Sequence, residues 1–382
     1  MAAAIGRESA CECTVTFNGC YSSSDDGSTL GGSVEIGNRR VNTEMLIVLL
    51  SNWGVRTGMN VSHYFEFEKY VSGGIRESVR NQRKMLRHLG IDGITDPHLG
   101  SDVLHLNLMG PRSVWYAKRA RARGVPVIAH THVTAEDFCN SFRFTNRLAT
   151  PLKPYLEWTY GLADVLVCPS AHNRRLIREY TDTTATVISN GVDRERLDGF
   201  EAFESAYRDR YGLHSPVVFA VGHVLKRKGL EAFVETARRM PDLDFAWFGP
   251  LHLSLKGRST RKLIENSPEN CTFTGFVDDI RGAYAAGDVF FFPSREESEG
   301  IALLEAMSTG KPVLVRDIEP FSWLEDGYDC LKSTDSFEEE LEALEDPALR
   351  ERLGANAART SEAFSLPETA RQLRRLYEEV ID

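Results

Sequence analysis

Short apolar runs recur along this chain at intervals that leave room for one helix between each pair. This alternation restricts the fold more than any other feature. Met59 to Phe67 reads as a first strand, and Val71-Ser72-Gly73-Gly74 turns it into a helix ending at Leu89. Val103–Leu106, Val127–His130, Val165–Cys168 and Ala185–Ile188 read as further strands, with helices over Val114–Arg123 and Tyr155–Ala163. A second series has strands at Val217–Val221, Phe245–Phe248, Thr272–Phe273, Val289–Phe292 and Val313–Val315. Its helices are read at Glu231–Met240, Ile280–Ala286 and Ile301–Ser308. Strands alternating with helices make parallel sheets covered on both faces. Two series predict an α/β chain of two Rossmann-like, doubly wound domains, over residues 59–190 and 191–365. A C-terminal helix over 366–382 is expected to join the first of them. Such domains bind ligands beyond the carboxyl ends of their strands, so the cleft between them is the default active site.

The remaining sequence sets bounds. The longest apolar run, Met45–Leu50, is too short to span a membrane, and Met1–Ile5 does not read as a secretory signal. The first 44 residues, Ser22–Ser33 above all, are rich in Ser, Gly, Asp and Thr and have no sustained period. The first 44 residues are therefore expected to be loop or disorder, Met45–Leu50 a further strand or part of an upstream extension, and residues 1–58 as a whole an N-terminal extension that is disordered or outside the catalytic fold. Cys11, Cys13 and Cys20 lack the partners of a zinc site, and reduced thiols in a cytoplasmic enzyme are the simpler reading. Residues 59–190 carry 17 Lys/Arg against 12 Asp/Glu, whereas residues 191–382 carry 24 against 37. The acidic balance argues against nucleic acid as a partner. The basic half suits phosphates or an anionic lipid surface.

The strongest chemical signal is the run Phe292-Pro293-Ser294-Arg295-Glu296-Glu297-Ser298-Glu299-Gly300 leading into Ile301-Ala302-Leu303-Leu304-Glu305. A strand stops at Pro293, and Gly300 opens a helix. The N–H groups of Gly300, Ile301 and Ala302 make an anion site suited to a diphosphate. Glu305, one turn in, is placed to accept hydrogen bonds from ribose hydroxyls, and Glu297 to reach the sugar. The bland alternative is an acidic loop capping a helix. Lys228 and Arg227, in Gly222-His223-Val224-Leu225-Lys226-Arg227-Lys228-Gly229, suit a leaving diphosphate on which charge grows. They also read as a basic turn before a helix. Gly73 and Gly74 let backbone amides approach phosphates without a Cβ in the way. Asp242-Leu243-Asp244 precedes a strand, on the wrong edge for a metal-held nucleotide, and reads as a solvated turn. No metal site is expected.

The Glu297-x7-Glu305 spacing, Gly310-Lys311-Pro312-Val313, the glycine-lysine loop after Val221 and Ser189-Asn190-Gly191-Val192-Asp193 together resemble the family-4 retaining glycosyltransferases of GT-B fold. The resemblance covers about residues 59–382. It implies that Phe276 and Val277, after Gly275, meet the nucleotide base, and that His132 lies against the donor sugar. His105 and His130, also at strand ends, are candidates for the acceptor side. Where many members have Arg after the glycine, this chain has His223, and Arg227 is read as supplying the charge.

A closer likeness, carried by Ser72–Arg76, His130-Thr131-His132…Glu136-Asp137-Phe138, Glu299–Glu305 and Val315–Trp323, is to bacterial diacylglycerol 3-glucosyltransferases. That likeness implies a nucleotide-sugar substrate, UDP-glucose favoured, no cofactor, a lipid or lipid-linked acceptor, and a peripheral place on the inner face of the membrane. Polysaccharide or protein glycan assembly, a nucleotide-sugar 2-epimerase and a non-catalytic nucleotide-sugar-binding protein remain as alternatives. Arg76, Arg80, Arg83, Lys84 and Arg87 recur at spacings of three and four, which reads as a membrane-facing or a merely solvated helix. Lys118, Arg119, Arg121 and Arg123 form a second basic run, and Lys153, Tyr155 and Trp158 an aromatic, cationic one.

Overall fold

The computed structural model describes the backbone of residues 33–36 and 39–42, and residues 58–94, 97, 100–135, 145–214, 216–251 and 258–382. Cys11, Cys13, Cys20, Met45–Leu50 and Glu136-Asp137-Phe138 lie outside the described residues. The chain divides into two units, Met1–Met59 and Asn60–Asp382. Within the first, β1 (Ser33–Ile36) and β2 (Arg39–Asn42) pair antiparallel, Ser33 opposite Asn42 and Ile36 opposite Arg39. This pairing corrects the expectation of loop or disorder for the part of the first 44 residues that it covers. Two strands of four residues each are too short to register as a period.

The second unit holds two six-stranded sheets. The first comprises β3 (Asn60–Tyr64), β4 (Asp92–Ile94), β5 (Val103–Leu106), β6 (Val127–His130), β7 (Val165–Cys168) and β8 (Thr184–Val187), in the order 4-3-5-6-7-8. The second comprises β9 (Val217–Val221), β10 (Asp244–Phe248), β11 (Cys271–Gly275), β12 (Val289–Phe292), β13 (Val313–Arg316) and β14 (Leu331–Ser333), in the order 11-10-9-12-13-14. Every pairing in both is parallel. The central strands are buried along their whole length, as the near-continuous Val, Phe and Leu runs require when helices cover both faces. Each sheet reverses strand order once, between β3 and β5 and between β9 and β12. A crevice opens at such a switch point, outside the carboxyl ends of the strands.

Of the twelve helices described in the second unit, three matter to the site. α1 (Gly74–His88) leaves β3, α9 (Ile301–Ser308) leaves β12, and α12 (Leu366–Ile381) ends the chain; α2 to α8, α10 and α11 follow chain order between them. Helix α1 turns Ser78, Val79, Asn81, Gln82, Met85 and Leu86 inward. It packs against α12 and α9, so it lies at the junction of the two sheets. Its basic face is thereby partly consumed. Arg83 pairs with Glu68 at 2.6 Å, and Lys84 with Asp193 at 2.6 Å and Glu195 at 2.7 Å. The reading of this helix as a row of five free cations for a membrane is corrected to three exposed ones, Arg76, Arg80 and Arg87. Asp244 opens β10, and its carboxylate accepts from the His214 N–H, at the strand's amino end and away from the switch point.

Helix α12 buries Leu366, Ala370, Leu373, Leu376 and Tyr377. It packs on α1 and β5 of the first sheet, so the chain's end completes that sheet's cover. Leu373 is 1% exposed. Leu373→Ala should cost about 2–5 kcal/mol by transfer and cavity terms together. A urea titration of the purified chain reads this directly, and an unchanged midpoint would show that α12 is not part of the folded core.

Candidate active site

Both switch points are lined by glycine turns that face one another. After β3, Gly73 caps α1 with φ 75° and no side-chain cap, leaving the first N–H groups of the helix open. After β9, Gly222 has φ 131° and is followed by His223. A Cβ on Gly73 would lie 2.7 Å from the imidazole Nε2 of His223, and Ser72 Oγ is 3.4 Å from the same atom. The two turns therefore close on each other across the cleft, and only glycine at position 73 permits it. Gly249 makes the same allowance beneath: a Cβ there would sit 1.9 Å from the Gly222 carbonyl.

The third wall is the loop after β12. Gly300, with φ 96°, caps α9 without a side-chain hydrogen bond, so the N–H groups of Gly300, Ile301 and Ala302 point out of the helix start. Lys228 is half-buried and salt-bridged to the buried Glu297, which also accepts from Ser294 Oγ at 2.9 Å. Arg227 reaches the Glu296 carbonyl at 3.4 Å, and its own carbonyl accepts from the Arg295 N–H at 2.8 Å. The basic turn and the acidic loop thus form one piece, and Lys228 is held in place rather than waving in solvent. A Cβ at Gly229 would fall 2.2 Å from the Pro293 carbonyl, which explains the glycine after the cations.

Glu305 is brought to the same wall, but its carboxylate is already engaged. Oε1 is 2.6 Å from Arg196 and Oε2 accepts from the Tyr284 hydroxyl at 2.7 Å. Burial raises its pKa, with Arg196 opposing. Phe276 is 73% exposed beside the buried Val277, after Gly275 at φ 75°. That ring is free to meet a flat ligand.

Loop and crossover are joined by a feature that the sequence reading missed. Glu299 is 3% exposed, and its Oε2 accepts from the Asn190 N–H at 3.0 Å and from Asn190 Nδ2 at 2.7 Å. Burial raises its pKa to about 7. The Asn190 Oδ1 accepts from Ser78 Oγ of α1, and Asn81 Nδ2 donates to the Gly191 carbonyl at 2.7 Å. Ser170 Oγ donates to the Ser298 carbonyl, and His172 lies 3.3 Å from Glu296 and 3.2 Å from Glu319. Glu296 raises the His172 pKa. The α9 loop is thus tied to both sheets. The clue was an uncharged polar stripe, Ser78, Asn81 and Gln82, on the face of α1 opposite its cations.

Beneath the cleft lie four histidines, at the carboxyl ends of β3, β5 and β6 and just beyond. His63 Nε2 is 2.7 Å from Gln82 Oε1 and 3.0 Å from Asn107 Nδ2. His130 Nδ1 is 3.2 Å from Gln82 Nε2 and 3.2 Å from His105 Nε2, and His105 Nδ1 is 2.7 Å from the Tyr377 hydroxyl. His132, half-buried, stacks on His130 at 4.5 Å and places Nε2 3.0 Å from Asn107 Oδ1. His105 is 0% and His130 2% exposed. This corrects their assignment to the acceptor side: both rings are buried beneath the cleft, and the Tyr377 hydroxyl of α12 stands 2.7 Å from His105 Nδ1.

Burial holds all four imidazoles neutral, His63 near 4 and His132 near 3, with His105 and His130 also well below the ordinary 6.5. The unfolded chain protonates these groups near pH 6.5 and the folded chain does not, so stability falls as pH drops from 6.5 toward 4. Glu299 acts in the opposite sense, because the folded state takes its proton first. The four histidines outnumber the opposing Glu299, so unfolding takes up protons on balance and stability falls below pH 6.5. Urea midpoints at pH 7.5, 6.5 and 5.5 should be level across the first step and drop across the second. His105→Asn should shallow that drop.

The profile described as "Glycosyltransferase Family 4" matches residues 66–196, and that described as "Glycosyl transferases group 1" matches residues 215–346. The processive diacylglycerol alpha-glucosyltransferase of Acholeplasma laidlawii is 35% identical over 272 residues, covering 69% of this chain and 81% of the relative. The alpha-galactosylglucosyldiacylglycerol synthase of Streptococcus pneumoniae is 31% identical over 337 residues, covering 84% and 88%. Among solved structures, the sucrose-phosphate synthase of Thermosynechococcus elongatus superposes with a TM-score of 0.68 at 17% identity, over 84% of this chain and 99% of that one. Two parallel α/β sheets, glycine turns at both switch points and these matches lead to one conclusion: the chain belongs to the family-4 glycosyltransferases, enzymes of GT-B fold.

Proposed function

We propose that this glycosyltransferase moves a hexose, glucose in the first instance, from a uridine diphosphate sugar to a hydroxyl of a membrane lipid, with retention at the anomeric carbon. The observation that carries the donor reading is the approach of Gly73 to His223. It sets two unobstructed backbone turns and the N-terminus of α9 around one space, with Lys228 and Arg227 at its edge. That space suits a diphosphate. The exposed Phe276 suits the base, and His132 suits the sugar.

In the reaction, the acceptor oxygen approaches the anomeric carbon on the face the diphosphate leaves from. The bond from that carbon to the phosphate oxygen breaks, the new bond to the acceptor oxygen forms on the same face, and the acceptor's proton passes to the departing phosphate oxygen. Negative charge grows on the diphosphate, where the N–H groups of Gly300, Ile301 and Ala302 and the cations are already aimed. Donors fixed before reaction stabilise that charge without reorganising. Glu297 keeps Lys228 oriented until the donor arrives. No step calls for a metal.

The lipid reading rests on the relatives' acceptors and on one surface of the first sheet's helices. Trp115 on α2 (Pro111–Arg121) and Trp158 on α3 (Thr145–Tyr160) are 54% and 51% exposed. Arg119 lies 5.1 Å over Trp115, and Lys118, reaching from α2, lies 5.2 Å over Trp158. Interfacial tryptophans with cations beside them suit the headgroup level of an anionic leaflet. This face, rather than α1, is where the basic half meets lipid. Among the described residues no helix is long and apolar enough to cross a membrane; the proposed attachment is peripheral, through this face and on the inner leaflet.

Two experiments test these readings. With radiolabelled UDP-glucose, lipid extract and EDTA present, the wild type should form a labelled lipid. Lys228→Ala should then lower kcat by about 10²–10³-fold with less effect on KM. Label appearing only in a soluble glycan overturns the acceptor, and a normal kcat overturns the role of Lys228. Separately, Trp115→Ser with Trp158→Ser should weaken co-sedimentation with phosphatidylglycerol vesicles by about tenfold or more and leave UDP binding intact. Equal sedimentation would remove the membrane from this face.

A further inference from the structure

The network beneath the cleft has a direction, and that direction reaches His132. The Asn190 backbone N–H can only donate, so Glu299 Oε2 is an accepting oxygen whether or not the carboxyl is protonated. Glu299 Oε2 faces both the backbone N–H and the side-chain amide of Asn190, so the amide nitrogen of Asn190 must point at it. The Asn190 oxygen is then left for Ser78, whose hydroxyl donates. Having spent its proton, Ser78 Oγ accepts from Gln82 Nε2 at 3.2 Å. Gln82 must therefore turn its oxygen to His63, and His63 Nε2, 2.7 Å away, must carry a hydrogen. At the far side, the Tyr377 hydroxyl donates to His105 Nδ1, His105 Nε2 carries the hydrogen, and His130 Nδ1 accepts from His105 and Gln82. Every one of these contacts has one donor and one acceptor.

The next contact decides His132. Asn107 lies between two imidazole nitrogens, His63 Nε2 and His132 Nε2, each 3.0 Å from one end of its amide. Because His63 Nε2 carries one hydrogen, which it shares between Gln82 Oε1 and the nearer end of Asn107, that end must be the oxygen rather than a second donor. A half-turn of the amide about its last side-chain bond, which interchanges two atoms of nearly equal size, satisfies this. It then presents the amide nitrogen to His132. We infer that this chain of hydrogen bonds from Glu299 through Asn190, Ser78, Gln82, His63 and Asn107 fixes the proton of His132 on Nδ1, with Nε2 accepting from Asn107.

His132 Nδ1 is the nitrogen left for a ligand, and in this state it donates. The histidine is thus set to give a hydrogen bond to a hydroxyl or phosphate oxygen of the donor, not to take a proton. Its low basicity agrees with that role. The six residues upstream are positioning residues, and they link the α9 loop, which carries Glu299, to the histidine on the opposite wall. The functional half of this inference rests on the donor-site reading of His132 given above; the tautomer itself does not.

The full-length protein labelled with 15N-histidine provides the test, with His132→Gln identifying the His132 signals. In the wild type without ligand, Nδ1 of His132 should resonate as a protonated ring nitrogen and Nε2 as a bare one. The reverse pattern overturns the inference, whatever the activity. Asn107→Asp offers only acceptors at the same place, so it should move the proton to Nε2 and lower kcat/KM for UDP-glucose by about tenfold or more. Ser78→Ala should yield a mixture of both tautomers, whereas Glu299→Gln, which keeps an acceptor oxygen for Asn190, should not. A single unchanged tautomer in both Asn107→Asp and Ser78→Ala overturns the chain. A tautomer that switches in Asn107→Asp while kcat/KM stays at the wild-type value upholds the chain and sinks the donor-site role of His132 instead.

Discussion

A carboxylate buried at the junction of two sheets sets the geometry of this enzyme. Glu299 has lost nearly all its water, and an ionised carboxylate out of water is tolerated only with donors around it. Its donors come from Asn190, in the crossover between the sheets, and Asn190 in turn is held by Ser78 and Asn81 of α1. The residue after Glu299 is Gly300, where α9 begins. The four residues before Ser78 run back to Gly74, where α1 begins. One buried pairing therefore fixes the distance and angle between the two helix starts that face the cleft. Removing either partner would leave a polar group buried without a mate, and the helix starts would lose their common reference.

Charges around the cleft are arranged as pairs held in reserve. Lys228 rests on Glu297, and Arg196 on Glu305 with Glu77 3.1 Å away. Such pairing limits long side chains to one orientation, which lowers the entropy lost when a ligand arrives. On the donor-site reading proposed above, a diphosphate would compete with Glu297 for Lys228, and a ribose with Arg196 for Glu305. Binding and loop geometry are then coupled, because Glu297 and Glu305 flank Glu299 on the same loop and helix.

The sequence carried the sheets well because fully buried parallel strands must be apolar throughout. Val103–Leu106, Val127–His130, Val165–Cys168, Val217–Val221 and Val289–Phe292 are strands with the boundaries that their composition suggested. Elements that bury little were invisible. Helix α4 (Ala171–Arg178) buries only Asn173 and Ile177, and the edge strand β14 buries none of its residues fully. Of the site, the glycine turns and the basic loop were legible because glycine and lysine have few other reasons to occur there. His105 and His130 misled because position at a strand end does not reveal how deeply a ring is buried. Glu299 and Asn190 were read only as parts of motifs, and the stripe on α1 was not singled out, because the partners of each are distant in sequence.

The same reasoning separates the two halves of the functional account. The donor side follows from backbone geometry: turns that exclude a Cβ, and helix starts without caps. The acceptor side follows from surface character, the tryptophans and cations of α2 and α3. The central claim is that a nucleoside diphosphate lies between the two helix starts. A crystal structure of the protein with UDP tests it most directly. The account predicts the distal phosphate within hydrogen-bond reach of the N–H groups of Gly300, Ile301 or Ala302, with Lys228 turned from Glu297 toward it and the base against Phe276. Phosphates bound elsewhere, with Lys228 still on Glu297, would contradict it.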